Sequence, residues 1–277
     1  MRNIIAILLL TLSSHGLAGT QSAVPTCFSD KLQAPEGVQV DTELFVIIDQ
    51  TTVFDTGLKQ SVANNIKPFI KPGNVISVTQ FSAFTRGHYT DVMTSVSLDN
   101  ELAQHDRDDV SKPVLAKFDQ CEKSQLRLAG QVIGRALKSA FGESSNSIDK
   151  SDVLSSLKDI SLRVKRSAAK RKIVLLASDM LENSSISSFY AKQAVRLIDP
   201  AKELELVKKN GVYGDFGKAD IYVIGAGLLA EDKQVSKSVY RSPQVIGALR
   251  SFWTQWFDQS NARLMDFGAP ALLNQID

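Results

Sequence analysis

The chain has 277 residues, of which 43% are hydrophobic and 22% are charged, and its formal net charge is +2 at pH 7. This length and composition predict a globular protein with a sizeable core and exclude a chain that is disordered throughout. Because basic and acidic residues nearly balance, no overall field draws the protein to nucleic acid or to an anionic membrane, so we expect a partner to be recognised locally.

The first residues resemble an export signal. Arg2 gives a positive start, an apolar run extends from Ile4 to Leu12, and the segment 16–18 (Gly-Leu-Ala) offers small residues for cleavage. The apolar run is much shorter than the roughly 20 residues that cross a bilayer, and no later uncharged segment approaches that length. We therefore predict a signal peptide over residues 1–18, no membrane span in the mature chain, and a periplasmic or secreted protein.

Cys27 and Cys121 are the only cysteines in the chain. An oxidising compartment allows them to pair, and we predict a disulfide that stabilises the fold by about 4 kcal/mol in the chain-entropy model. The bond would tie an N-terminal arm, residues 19–43, to a loop in the middle of the chain. The alternative is two buried free thiols, which a cytosolic location would favour.

Strand-like apolar runs alternate with helical patterns along residues 44–277, which predicts a single α/β domain. The predicted strands span residues 44–48, 75–84, 90–98, 173–177, 221–224 and 263–267. The predicted helices span residues 57–70, 126–141, 153–164 and 244–259. Periodicity is lost between Asp99 and Glu122, where we predict a long surface loop that contains Cys121. The alternation is typical of a doubly wound, mostly parallel six-stranded sheet with helices on both faces.

Polar or glycine-rich segments follow three of the predicted strands. They are Asp49-Gln50-Thr51-Thr52, Ser178-Asp179 and Gly225-Ala226-Gly227. Ligands of open α/β sheets bind at the carboxyl ends of the strands, so we expect a site at these segments. The order and spacing of the three motifs resemble the von Willebrand factor A family, and the resemblance covers nearly all of the mature chain. It implies one antiparallel strand in the sheet and a domain that binds another protein.

In that family the first strand ends in Asp-x-Ser-x-Ser, and these residues hold a divalent ion together with a Thr from a loop and a distant Asp. The resemblance places Asp49, Thr51 and Asp179 in this set, with Gln131 near the position of the family's Thr. Val53 stands at the third position of the motif and has no oxygen to give. The resemblance therefore implies a degenerate site for Mg²⁺ or Mn²⁺.

Three interpretations of Asp49, Thr51 and Asp179 remain open at this stage. They form a weak magnesium site, a metal-free contact surface for a protein partner, or a set that caps loops through hydrogen bonds to backbone amides. Two carboxylates that face each other without a cation repel, so we expect either a bound ion or a basic group, for which Arg135 is a candidate.

The last predicted helix offers a second contact with a partner. Phe252, Trp253, Trp256 and Phe257 cover more than one face of this helix, so we expect most of them to pack on the sheet and one to stay exposed. We take Trp253 as the candidate, because exposed tryptophans are common anchors of protein interfaces.

Catalysis finds little support in the sequence. His88 and His105 lie beside no nucleophile motif. Residues 225–230 resemble the dinucleotide-binding fingerprint, but the polar segment 231–236 follows where that fingerprint needs an amphipathic helix.

We predict a non-enzymatic, periplasmic protein-binding module that uses Asp49, Thr51, Gln131 and Asp179. No cofactor is certain. One alternative is a structural subunit of an envelope assembly, such as a secretion or conjugation apparatus. The other is a metal-dependent or nucleotide-dependent enzyme that uses the same strand ends.

Overall fold

The computed structural model of the chain describes residues 21–84, 87–142, 144, 151–191, 194–229 and 242–277. The predicted signal peptide lies outside these ranges. The strands are β1 (Thr42–Asp49), β2 (Val75–Phe84), β3 (Gly87–Ser97), β4 (Arg171–Ala177), β5 (Tyr190–Ala191), β6 (Ala194–Val195), β7 (Ala219–Ile224) and β8 (Ala262–Gly268). The helices are α1 (Thr56–Ile66), α2 (Gln104–Asp108), α3 (Lys112–Gly142), α4 (Val153–Arg166), α5 (Pro200–Asn210) and α6 (Pro243–Gln259).

Six strands form one sheet in the order β3-β2-β1-β4-β7-β8. Five of them run parallel, and β3 is antiparallel to β2 at one edge. The short strands β5 and β6 pair with each other, apart from this sheet. The predicted doubly wound sheet with one antiparallel strand is confirmed.

Helices cover both faces of the sheet, and the alternation of β1 divides the core between them. Leu44, Val46 and Ile48 point to the face that α1 and α3 cover. Phe45 and Ile47 point to the face that α4, α5 and α6 cover. Because successive side chains of a strand point to opposite faces, an all-apolar central strand is what a sheet covered on both sides requires.

The region from Asp99 to Glu122 is largely helical, so the predicted surface loop is wrong. The helix α3 begins at Lys112 and continues for 31 residues. Its first turns do not pack on the sheet; Phe118 instead packs with Leu32 of the N-terminal arm in a small separate cluster. The buried position that follows is Gln125, a polar residue. These turns therefore lack the regular apolar stripe by which a helix is recognised in a sequence.

The predicted disulfide between Cys27 and Cys121 is confirmed, although it joins the arm to the helix α3 and not to a loop. Asp99 holds the same junction, since its carboxylate accepts hydrogen bonds from the Cys27 backbone and from the Thr26 hydroxyl. The side-chain amide of Gln125 donates to Asp99 and to the Pro25 carbonyl, at 2.9 and 2.8 Å. The buried Gln125 thus serves as a link between arm and helix.

The helix α5 and the strands β5 and β6 lie in a region to which the sequence patterns assigned no element. Asp199 caps the start of α5 through the backbone amides of Ala201 and Lys202, and Pro200 occupies its first turn. Gly211 ends the helix in the left-handed conformation, with φ of 63°. A Pro at the start and a Gly just past the end mark a helix, and these signals are visible in the sequence.

The aromatic residues of α6 are all buried, so the expectation of an exposed Trp253 is wrong. Phe252, Trp253, Trp256 and Phe257 each have 0% of their surface exposed. Trp253 donates its indole N–H to the Met180 carbonyl at 2.9 Å, and Trp256 donates to the Val212 carbonyl at 3.1 Å. The helix α6 packs on the sheet, including its edge strand β8, and also contacts α5, so the face that was expected to meet solvent is covered.

The C-terminal segment returns across the molecule after β8. Near the carboxyl edge of the sheet the Pro270 carbonyl accepts the amide of Gly225. At the amino edge Ile276 is buried, its amide bonds to Asn65, and Arg171 at the start of β4 donates to the Asp277 carbonyl. Within the described ranges, none of the helices has an apolar stretch long enough to cross a membrane.

Replacing Gly225 by alanine is expected to destabilise the fold by about 2–4 kcal/mol. Gly225 has φ of +104°, and an added Cβ would lie 2.7 Å from the Phe54 ring and 3.0 Å from the Ser178 carbonyl. Denaturant unfolding of Gly225→Ala measures the loss. Gly247→Ala is the matched control, because nothing lies within 4 Å of its added Cβ in α6. The control should gain about 1 kcal/mol, and equal stability of the two variants would contradict the steric argument.

Candidate functional site

Three separate segments meet at the carboxyl edge of the sheet. Asp49 is the last residue of β1, Ser151 stands just before α4, and Asp179 follows β4 by two residues. The hydroxyl of Thr51 lies 3.1 Å from the hydroxyl of Ser151, which joins the loop after β1 to the start of α4. The carboxyl ends of parallel strands share one edge, and this geometry brings residues together that are far apart in sequence.

Asp49 is fully buried and its carboxylate is held on both sides. One oxygen accepts from the Thr51 amide at 2.9 Å and from the Thr51 hydroxyl at 2.6 Å. The other accepts from the Ser178 hydroxyl at 2.7 Å. A buried carboxylate with partners at both oxygens fixes the loops that supply them, here the loops after β1 and β4.

Asp179 lies beside Asp49 and is almost fully buried. Its amide donates to the Thr52 hydroxyl at 3.0 Å, so the two carboxylates are connected through the β1 loop. One carboxylate oxygen accepts from the Leu181 amide at 2.8 Å, and the other accepts from the Tyr190 hydroxyl at 3.3 Å. Thr52 and Ser178 lie in the segments where the sequence predicts a site, but no role was predicted for either of them, and Tyr190 was not predicted at all.

Burial raises the pKa of both aspartates. For Asp179 the negative charge of Asp49 adds to desolvation and raises the pKa well above its usual range. The hydrogen bonds from Thr51 and Ser178 oppose the rise at Asp49. Among the described residues, no cation forms an ion pair with either carboxylate. The pair therefore holds protons more readily than exposed aspartates do.

Gln131 and Arg135 do not lie at this edge, contrary to the predictions made for them. Both are exposed on α3 and line a shallow depression on its outer surface. Only the last turn of α3 reaches the site, where Phe141 packs on Phe54 with ring centroids 5.5 Å apart. Gln131 precedes Phe141 by about 15 Å along the helix. The hydroxyl that meets Thr51 at this edge belongs to Ser151, for which the sequence patterns predicted no role.

Glu182 lies beneath the site, in the segment that follows β4. Its carboxylate is fully buried and accepts from the Leu154 amide at 2.9 Å, in the first turn of α4. Its second oxygen has no hydrogen-bond partner. Asn183, the next residue, exchanges two backbone hydrogen bonds with Ser151. Glu182 thus holds the start of α4, and with it Ser151, against the loop after β4.

The oxygen atoms at this edge suit a hard cation only in part. Asp49, Thr51, Ser151 and Asp179 offer carboxylate and hydroxyl oxygens of the kind that Mg²⁺ and Mn²⁺ prefer. However, every carboxylate oxygen of the two aspartates already accepts a hydrogen bond from within the chain. No group of three or more acidic, His or Cys side chains that could hold a metal occurs in the described part of the chain. A cation would therefore have to share these oxygens with the internal donors.

The glycine-rich segment after β7 has its backbone amides engaged. Gly225 donates to Pro270, Ala226 donates to Gly268, and Gly227 donates to Asp179, at 2.7, 3.0 and 2.8 Å. In a dinucleotide-binding loop such amides face the phosphates. Because these three amides already have carbonyl partners, the geometry does not favour a phosphate at this turn.

No protein-family model and no curated protein matches the chain. Among solved structures it is similar to a point mutant of the PilB minor pilin from Streptococcus sanguinis, with 14% identity, a TM-score of 0.42, and coverage of 88% of this chain and 60% of that one. It is also similar to the three N-terminal domains of the type V pili tip protein Mfa5 from Porphyromonas gingivalis, with 12% identity, a TM-score of 0.29, and coverage of 52% and 20%. A third similarity is to manganese-loaded Plasmodium vivax TRAP, with 12% identity, a TM-score of 0.31, and coverage of 77% and 73%. The chain thus spans three fifths of the solved minor pilin chain and a fifth of the solved three-domain chain of the tip protein.

Glu182→Gln is expected to remove part of the pH dependence of stability. Burial raises the pKa of Glu182 from 4.5 to about 8. The folded protein therefore keeps a proton that the unfolded chain loses, and this stabilisation is complete below pH 4.5 and is lost as the pH rises through about 8. The free energy of unfolding of the variant, relative to the native protein, should rise by about 3–5 kcal/mol over this range.

Urea unfolding at a series of pH values measures this difference. Glu205→Gln on the exposed side of α5 is the control and should show no such trend. A difference between Glu182→Gln and the native protein that stays constant with pH would contradict a raised pKa at Glu182.

Proposed function

We propose that the chain is a periplasmic or secreted, non-enzymatic protein-binding module of the von Willebrand A type. It meets its partner at the carboxyl edge of the sheet, around Asp49, Thr51, Ser151 and Asp179. The observation that carries the proposal is the contact between the Thr51 and Ser151 hydroxyls, which builds one polar centre from segments 100 positions apart.

The surroundings of this centre have the composition of a protein interface. Four half-buried side chains belong to the segments that follow β1, β4 and β7, and we call them the rim: Val53, Ile186, Tyr190 and Leu228. Tyr190 is anchored by its hydroxyl to Asp179, and Leu228 packs against the core below. Partly exposed apolar and aromatic side chains in the segments that carry a satisfied polar centre favour contact with another protein. Val53, which has no oxygen to offer at the third position of the metal motif, contributes an apolar contact here.

Burial argues against a catalytic role for the aspartates. Asp49 has 0% of its surface exposed and Asp179 has 6%, so a substrate has little access to either carboxylate. Their hydrogen bonds serve the loops that carry the rim. We therefore assign the aspartates a positioning role and assign recognition to Thr51 and the rim residues.

The disulfide between Cys27 and Cys121 supports the proposed location. Bonds of this kind persist in oxidising compartments such as the periplasm and the extracellular space, and they are rare in the cytosol. The export signal predicted over residues 1–18 agrees with that placement. A structural subunit of an envelope assembly shares this location, and the test below separates the two roles by the surface that makes the contact.

Site-specific crosslinking in the native host tests the binding surface. A photoreactive phenylalanine analogue at Val53 is expected to capture one partner, because this side chain is half-buried on the rim. The same analogue at Lys209, exposed near the amino edge at the end of α5, is the control. Thr51→Tyr should abolish the crosslink at Val53 by filling the centre. Capture of the partner from Lys209 but not from Val53 would place the contact on another surface.

Partner binding is expected to be independent of divalent cations. Calorimetric titration of Mg²⁺ and Mn²⁺ should give no saturable heat with the oxidised native protein, because its carboxylate oxygens already have internal donors. Val53→Ser restores an oxygen at the third motif position and should gain weak binding. Saturable binding to the native protein that Asp49→Asn removes would instead establish a working metal site.

A further inference from the structure

The outer face of α3 carries a row of cations that form no ion pair within the described ranges. This basic face consists of Lys123, Arg127, Gln131, Arg135 and Lys138, together with Gly130 and Gly134. All the charged members are exposed, and they lie opposite the stripe through Ala129, Ile133 and Ala140 that packs on the sheet. The row extends for about 22 Å along the helix. It lies on the face of the domain, away from the polar centre at the carboxyl edge.

The described carboxylates do not balance the charges of the basic face. In the ranges that the structure covers, no carboxylate forms an ion pair with any of the four cations. Asp119, an acidic residue earlier in the helix, binds Arg107 at 2.8 Å and is thereby neutralised. Because the chain as a whole is nearly neutral, this concentration of positive charge is local. A local field of one sign attracts a partner of the opposite sign.

The middle of the basic face is hollow. Gly130, Gln131, Gly134, Arg135 and Lys138 line a depression of about 400 Å³. Each helix-interior glycine costs about 1 kcal/mol relative to alanine. An added Cβ at Gly130 or Gly134 would meet nothing within 4 Å, so the packing of this chain does not require glycine at either position. Glycines one turn apart leave room for the backbone of a second helix to approach closely.

We propose that the basic face of α3 docks an acidic α-helix of a protein partner. The cations supply charge complementarity along the row, and the glycine hollow admits the partner's backbone between Arg127 and Arg135. A flat lipid surface would gain nothing from the hollow, and the apolar neighbours Leu128 and Val132 are half-buried against the core and not available for insertion. The proposal concerns a different surface from the rim and does not rest on the function proposed for the carboxyl edge.

Binding of a designed helix to the full mature protein tests this proposal. The probe is a synthetic helical peptide of about 21 residues with glutamates along one face and alanines at its centre, labelled for fluorescence anisotropy. Its counterpart with lysines is expected not to bind. Arg135→Glu with Lys138→Glu should weaken binding of the acidic peptide by about tenfold or more and should create binding of the lysine peptide.

Gly134→Leu fills the hollow without altering charge and should weaken binding of the acidic peptide by a similar factor. This variant is also expected to unfold at the same or a higher temperature, because leucine is the better helix former. Lys208→Glu with Lys209→Glu, at the end of α5, changes the net charge equally and should leave binding intact.

Three results would overturn the proposal. Unchanged binding of the acidic peptide to Gly134→Leu would show that charge alone attracts the peptide and that no partner helix enters the hollow. If the α5 control lost as much affinity for the acidic peptide as the α3 variant, the peptide would be responding to the net charge of the protein and not to a docking face on α3. Tighter binding to phosphatidylglycerol vesicles or to duplex DNA than to the peptide, lost in the α3 variant, would assign the face to a membrane or a nucleic acid.

Discussion

A carboxylate removed from water must find its hydrogen-bond donors within the protein, and Asp49 at the end of the central strand is under this constraint. Its two oxygens are satisfied by different loops, one by Thr51 after β1 and the other by Ser178 after β4. An unmade bond to a buried charge costs several kcal/mol, so neither loop is free to move independently. Thr51 in turn meets Ser151, and Asp179 is fixed through Thr52. The whole carboxyl edge is thereby organised around one side chain.

The sequence was most informative where a pattern repeats and least informative where tertiary contacts replace it. All-apolar runs such as 44–48 predicted the central strands because both faces of the sheet are covered. The first turns of α3 could not be predicted in this way, since they pack on the N-terminal arm through Phe118 and a buried Gln125. Trp253 was misjudged for a related reason, as the sequence of α6 does not reveal that α5 and β8 enclose it.

Part of the candidate site could be predicted from the order of motifs along the chain, and the rest is visible only in the fold. Asp49, Thr51 and Asp179 were found because each adjoins the end of an apolar strand. Ser151 was missed because it adjoins no strand, so its place at this edge is visible only in the fold, and the resemblance pointed to Gln131 instead. Glu182 gave no signal either, since burial of an acidic residue is visible only in the structure.

Both ends of the described chain lie at the amino edge of the sheet. The arm bonds to the last residues of β3, where Ala23 meets Ser95, and the final residue bonds to Arg171 at the start of β4. The polar centre and its rim occupy the opposite edge. A linker added after Asp277 would therefore start on the side of the domain away from the rim. A tether at one end, or immobilisation on a solid support through it, would present the rim outward to a partner in solution.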